Sequence, residues 1–421
     1  MPNLAYLCIG KYIGKMFTSI SQFEPLFPLN SGELEDLAGN LVAVSAKLEG
    51  RLSPIVLADI RELLRVVNSY YSNLIEGNGT HPIDIERAMA GDYSSNVQKR
   101  ELQIESRIHI EVQRKVSEKL KENHTETITN EDFLCWIHRE FYAQMPENLR
   151  WAKGDGGEKV WVEAGKLRKR LVVVGRHIPP VAESLKSFLL RFDEAYNPLS
   201  MHGLRPIIAL SAAHHRLMWI HPFLDGNGRV ARLFTDAYFE KTNFDGYGLW
   251  NVSRGLARQR DDYRRYLAAA DLERENDYDG RGNLSDRTLT EFCRFFLETC
   301  LDQAEYMNNL LSLNGFLERL ERYVQLRNAG LIVDEKGEKL VKLHPRVGKV
   351  FTTMAVKGEI SRGEVFQIIE MSERSGRTIL KNLLDEGLLL SKSEKGFVRL
   401  GFPAHAASYW FPDLYPNEIK S

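Results

Sequence analysis

Two helix-forming runs in the middle of the chain are joined by one unusual stretch, His221-Pro222-Phe223-Leu224-Asp225-Gly226-Asn227-Gly228-Arg229-Val230-Ala231-Arg232. Before it, Ile207, Ile208, Leu210, Leu217 and Ile220 repeat at helical spacing. After it, Leu233, Phe234, Ala237 and Tyr238 resume the rhythm. A tight helix–helix turn with solvated charges would need only the glycines. The histidine, the carboxylate and the two arginines ask for a further reason.

Phosphate chemistry supplies one. Gly226 and Gly228 lack Cβ, so the backbone can point successive N–H groups into one concavity. A helix starting near Gly228 would add unpaired N–H donors and the positive end of its dipole, which together make an anion site. Arg229 and Arg232 fall one turn apart on the same side of that helix. Two cations there oppose the dipole unless a bound polyanion offsets them, and the planar guanidinium fork suits phosphate oxygens. No Gly-Lys-Ser/Thr follows, so the loop is not a P-loop.

Asp225, beside that site, is placed to hold Mg²⁺ with phosphate and water as the other ligands, and equally to cap the following helix. His221 enters the loop with an unperturbed pKa near ~6.5, so a neutral imidazole could accept a hydroxyl proton. Nucleotidyl or phosphoryl transfer to a hydroxyl uses every one of these parts.

The rest of the chain reads as mainly α. Residues 31–89 are mostly helical, with Ser31 as an N-cap and a long helix from Pro54 to Ile75 striped by Ile55, Ile60, Leu63, Leu64 and Val67. That helix runs out into Ser72-Asn73-Leu74-Ile75-Glu76-Gly77, with Gly77 a natural stop. Ser72 and Glu76 share one face, and a glutamate in a last turn opposes the dipole. Further helices are expected from Ser95, from Asn130 and over 181–196. Between the last two, the glycine-rich segment 154–178, with Leu171-Val172-Val173-Val174 after the basic 166–170 run, predicts a β-hairpin, either structural or an edge that adds a bound peptide strand. Helices continue over 259–272 and 289–324. After a linker at 328–339, three short helices (347–354, 363–369, 372–384) and a hairpin around Leu388–Leu390 and Val398–Leu400 form a winged helix-turn-helix pattern. From His344 to Phe402 ten Lys or Arg face seven Asp or Glu, a surplus too small to decide between DNA and protein as its partner.

Composition narrows the class. With 56 Lys and Arg against 57 Asp and Glu, the chain is not a globally basic nucleic-acid binder. Cys8, Cys135, Cys293 and Cys300 form no CxxC pair or zinc spacing, which points to reduced thiols in a cytoplasmic protein. No apolar run approaches the ~18 residues of a membrane span, and Lys11 and Lys15 interrupt any signal-peptide core.

The stretch His221–Arg232 matches the whole motif H-P-F-x-(D/E)-G-N-G-R-x-x-R and so resembles the Fic family, over roughly Ser31 to Gln303. Ala212-Ala213-His214 precedes it at the family's usual distance, and Leu171–Pro180 falls where the family's target-docking flap lies. The resemblance implies a helical Fic core with a small β-hairpin flap, transferring AMP from ATP, with Mg²⁺, to a Ser, Thr or Tyr hydroxyl of a target protein, with the chain itself as an alternative target. His221 would be the general base and Asp225 the Mg²⁺ ligand. Gly226, Asn227 and Gly228 would form the anion hole, Arg229 would hold phosphate, and Arg232 would engage the γ-phosphate. Ser72, Glu76 and Gly77 match the family's inhibitory motif S/T-x-x-x-E-G/N, which implies Glu76 pairing with Arg232 and displacing the γ-phosphate. The winged-helix tail is similar to that of a bacterial subgroup. The expected division is 1–95 for the inhibitory region, 96–327 for the core, and 340–421 for the winged helix and tail. Three matters stay open at this point: removal of AMP by the same pocket, a nucleotide-sensing regulator that binds DNA through the tail, and homodimerisation.

Overall fold

A computed structural model describes residues 16–153, 158–333 and 338–415. Cys8, most of the N-terminal lead-in and the final residues of the tail lie outside them. The described chain is mainly helical. Helices α1 (Gly32–Ala46), α2 (Pro54–Ile75), α3 (Pro82–Met89), α4 (Val97–Glu122) and α5 (Glu131–Tyr142) precede the one hairpin of the body. Its strands are β1 (Trp151–Lys153) and β2 (Lys159–Trp161). Then come α6 (Leu185–Tyr196), α7 (Arg205–Ile220), α8 (Asn227–Lys241), α9 (Val252–Arg258), α10 (Arg260–Ala269), α11 (Asp286–Leu310) and α12 (Leu313–Asn328). No helix among the described residues is long and apolar enough to cross a membrane.

Local chemistry sets these bounds. Ser53 accepts from Val56 N–H, and Pro54 occupies the first turn of α2, where its missing N–H costs nothing. Val56, Ile60, Leu64, Val67 and Tyr71 are buried along one stripe, against α9 and α4. Asn96, rather than the expected Ser95, caps α4, its Oδ1 accepting from Lys99 N–H at 3.1 Å. Asn130 caps α5 as expected. Helices α7 and α8 pack on each other at the centre, and α6 and α11 cover α7.

The hairpin lies at the start of the expected range, its second strand inside 154–178, and the run 171–174 is not one of its strands. Val172 and Val173 are buried, and only an isolated bridge, Val174 to His177, joins that segment. The apolar run is a core plug, and apolarity without alternation does not separate a plug from a strand. The paired strands are β1 and β2, in register at Trp151 and Trp161, whose rings meet at 5.0 Å.

The tail has the expected order, α13 (Val347–Lys357), β3 (Glu359–Ile360), α14 (Arg362–Ile369), α15 (Glu373–Asp385), β4 (Leu389–Ser391) and β5 (Val398–Leu400), with an antiparallel sheet ordered β3-β5-β4. A final helix, α16 (Ala404–Trp410), was not foreseen. The segment beyond it returns to the body, where Leu414 O accepts from Tyr71 OH at 3.0 Å and Asp413 O from Arg254 at 2.7 Å. Arg399 on β5 also pairs with Asp59 on α2 at 2.7 Å.

Candidate active site

The site is the connection between α7 and α8. His221 ends α7 in the left-handed region, at φ 48° and ψ 61°, which a non-glycine residue adopts only when its surroundings impose it. The imposing group is Arg168, 4% exposed, which donates from Nε to His221 O at 2.8 Å and from its backbone N–H to Pro222 O at 2.9 Å. Imidazole Nδ1 faces Met218 O at 3.3 Å, so that nitrogen carries the proton and Nε2 keeps its lone pair. Burial, helped by the charge of Arg168, lowers the His221 pKa to about 3, so the ring is neutral at physiological pH.

Asn227 closes the loop on itself. Its Oδ1 accepts from Phe223 N–H at 2.9 Å, and its Nδ2 donates to Phe223 O at 2.8 Å. Gly226, at φ 80°, lies against Tyr142, where a Cβ would come within 2.6 Å of the ring. The first bond of the α8 ladder is Val230 N–H to Gly226 O, so the N–H groups of Asn227, Gly228 and Arg229 precede it and remain for an anion.

Helix α5 forms the floor of the loop. Tyr142 OH donates to Asp225 Oδ2 at 2.7 Å. His138 stacks between Tyr142 and Phe223, at 4.4 and 4.1 Å. Its Nδ1 accepts from Gly165 N–H at 2.8 Å, which puts the proton on Nε2, facing Asp225 O at 3.2 Å. Asp225 does not cap α8, because Gly226 stands in the N-cap position, and its Oδ1 has no protein partner among the described residues.

The arginines differ. Arg229 is ion-paired with Glu105 of α4 and lies 5.6 Å above the Phe141 ring. Burial works against its charge, but Glu105 with the neighbouring Glu76 and Asp225 outweighs this and holds its pKa above the usual guanidinium range. Arg232 is 2% exposed and held by the end of α2. Its Nε donates to Ser72 Oγ at 2.9 Å, and one terminal nitrogen donates to Ser72 O at 3.1 Å and to Glu76 Oε1 at 2.6 Å. Glu76 is the C-cap of α2, and Gly77 follows at φ 93°. Burial acts to raise the Glu76 pKa, yet Arg232 and Arg229 outweigh it and keep the carboxylate ionised. The same cations compensate a glutamate at the negative end of a helix dipole. The carboxylate overlies the start of α8, where a Cβ on Gly228 would overlap Oε1. The structure thus gathers Ser72, Glu76, His221 and all of 225–232 into one site.

Sequence reasoning missed Arg168, Glu105, His138 and Tyr142. His138 and Tyr142 are four apart on an amphipathic helix, which reads as ordinary core. Arg168 lies in a basic run that reads as solvated.

Residues 128–239 match the family described as Fic/DOC. Among curated proteins, Protein adenylyltransferase Fic of Drosophila mojavensis is 36% identical over 83 residues, which are 20% of this chain and 16% of that protein. The protein of the same name from Nematostella vectensis is 29% identical over 175 residues, 42% of this chain and 37% of that one. The chain therefore spans well under half the length of these relatives. A crystal structure of a Fic family protein from Desulfovibrio desulfuricans aligns over 86% of this chain and 95% of its own, at 17% identity and a TM-score of 0.47. Residues 128–239, which hold the whole of the loop and helix α8 up to Phe239, are thus the part of the chain that is similar to the Fic/DOC family.

Proposed function

We propose that the chain transfers AMP from ATP to a Ser, Thr or Tyr hydroxyl of a protein, its own chain included, and that Glu76 holds the reaction off. The observation that carries this reading is the seat of Arg232. A buried guanidinium at the anion-binding end of α8 is already filled by a carboxylate, where a terminal phosphate would otherwise sit. A carboxylate and a phosphate compete for the same fork, because each offers paired charged acceptors.

With the latch open, the free N–H groups of Asn227, Gly228 and Arg229 would hold phosphate oxygens and Arg232 the γ-phosphate. Arg229, its charge secured by Glu105, would add attraction at the same end. Asp225 suits Mg²⁺ as a single hard ligand: Tyr142 orients one oxygen, the other is unengaged, and nucleotide oxygens would complete the set. Mg²⁺ would neutralise phosphate charge there. His221 Nε2 accepts the hydroxyl proton, and the oxygen attacks the α-phosphorus. The bond from that phosphorus to the bridging oxygen breaks, and pyrophosphate leaves with the electron pair. The Nδ1 contact with Met218 O fixes the tautomer this needs. We assign catalysis to 96–327, inhibition to 1–95, and a docking role to 340–421.

The test is label transfer from ATP labelled at the α-phosphate. Glu76→Gly is expected to raise modification well above the parent, and His221→Ala in that background to abolish it. Transfer that survives the histidine change refutes the assignment. One observation favours a second reading, removal of AMP: the Glu76 carboxylate overlies Gly228 at the start of α8, inside the same anion-binding end. Loss of hydrolysis of a modified target in Glu76→Gly would identify that as the native direction.

A further inference from the structure

A second concavity lies one turn away from the latch on both helices that form it. A cavity of about 470 Å³ opens between α2, α4, α8 and the loop 243–251. Asn68, one turn before Ser72, and Asp236, one turn after Arg232, both line it.

Its polar wall is short of donors. Gln113 Nε2 donates to Arg65 O at 3.1 Å, which orients its amide so that Oε1 faces Asn68. Asn68 Nδ2 then donates to Gln113 Oε1 at 3.0 Å and to Asp236 Oδ2 at 2.7 Å. Turning the Asn68 amide over would set oxygen against oxygen at both contacts, so Oδ1 is the atom left over. It is buried, on a residue 3% exposed, and has no partner. An orphaned buried carbonyl costs ~1–3 kcal/mol unless something donates to it.

Arg65 and Lys121 act on the carboxylates beside it at longer range, but no cation among the described residues sits against either one. Asp236 accepts from Tyr247 OH and Asn68, and Glu240 from Ser117 Oγ; neither forms an ion pair among the described residues. The nearby Arg61 and Arg65 are committed to Glu49 and Glu62. Two desolvated carboxylates and one orphaned carbonyl all call for N–H groups bearing positive charge. The apolar walls, Leu64, Val116, Leu233 and Trp250, would cover a carbon chain.

We propose that this cavity is a binding site for a small organic cation, a primary ammonium or guanidinium on a short aliphatic chain, held by Asp236, Glu240 and Asn68 Oδ1. The volume lies within the range of small-molecule sites. A ligand that draws Asn68 and Asp236 together acts on the helices that carry Ser72 and Arg232. That consequence for the latch rests on the autoinhibited reading above; the binding itself does not.

The experiment therefore omits nucleotide. The full chain is titrated calorimetrically with agmatine and putrescine, with sodium glutamate as an anionic control. Saturable binding of at least one amine is expected, with none of glutamate. Asp236→Asn, which keeps shape and removes charge, is expected to weaken it at least about tenfold, which is the loss of a ~1.4 kcal/mol charged contact. Should that variant fail to melt cooperatively, Glu240→Gln carries the same expectation. Absence of saturable binding by both amines, equal binding of glutamate, or amine binding unaltered in the folded variant overturns the proposal. Label transfer by the amine-saturated parent is a separate measurement that bears only on coupling to the latch.

Discussion

Ser72 offers a sharper probe of the proposed latch than Glu76, because its loss leaves the Glu76 carboxylate in place. In Ser72→Ala the Nε of Arg232 loses its acceptor at 2.9 Å, while the backbone carbonyl of residue 72 and Glu76 Oε1 still take the other donor. The guanidinium is 2% exposed, so water does not readily replace the hydroxyl. A hydrogen bond to a charged group contributes ~1.5–3 kcal/mol. If opening carries the last turn of α2 away from α8, Ser72 and Glu76 leave together, and the whole of that contribution belongs to the closed state. The open fraction should then rise by about 10- to 150-fold, with the rate in Glu76→Gly as its ceiling. Initial rates of label transfer for parent, Ser72→Ala and Glu76→Gly measure this, and thermal melting checks that the variants fold. A Ser72→Ala rate within about twofold of the parent, beside a strongly activated Glu76→Gly, would refute the reasoning. The latch would then open by rotation of the glutamate side chain alone, with α2 stationary.

Two further outcomes follow from the floor and from the buried imidazoles. Tyr142→Phe removes the bond that orients Asp225; it should raise the Mg²⁺ concentration for half-maximal transfer by ~10-fold or more in a Glu76→Gly background, while the rate at saturating Mg²⁺ changes little. His109, His138, His214 and His221 are each lowered to about 3, mainly by burial. Below the unfolded pKa of ~6.5 the unfolded chain binds protons that the folded chain refuses. Stability is therefore lost as pH falls from ~6.5 toward 3, by up to ~1.4 kcal/mol per pH unit for each ring. Asp236, raised to about 6 by burial, works the other way below that pH together with Asp59, Glu240 and Asp286, but His215 and the lowered carboxyls of Glu76, Asp271 and Glu386 add to the four rings. Melting temperature should fall steeply from pH 7 to pH 5, and a flat profile there would show that the rings are not held neutral.

What could be read before any coordinates were known depended on how local each interaction is. The turn at Gly226, the start of α8 and the cap at Asn130 depend on residues within four positions of one another, and their chemistry is visible in the string. The order of helices and strands in the tail was legible for the same reason, from short amphipathic runs and turns. The floor under the loop was not. Tyr142 and Asp225 are 83 positions apart, and nothing in Tyr142 itself separates a carboxylate-orienting hydroxyl from a core aromatic. The plug at 171–174 failed for another reason: a buried irregular segment and a buried strand have the same apolarity and differ in backbone pairing, which composition does not record. Glu76 and Arg232, 156 positions apart, were joined only through the family resemblance. Their geometry now gives that pairing a physical basis. A carboxylate at the wrong end of one helix dipole stays ionised because it faces the right end of another, and two arginines add their charge. Each helix end thereby neutralises a defect in the other, so a phosphate that displaces Glu76 must replace a compensated arrangement rather than fill a vacancy. If the proposed competition holds, nucleotide can displace the carboxylate, and the activation expected on removing Glu76 should shrink as ATP concentration rises.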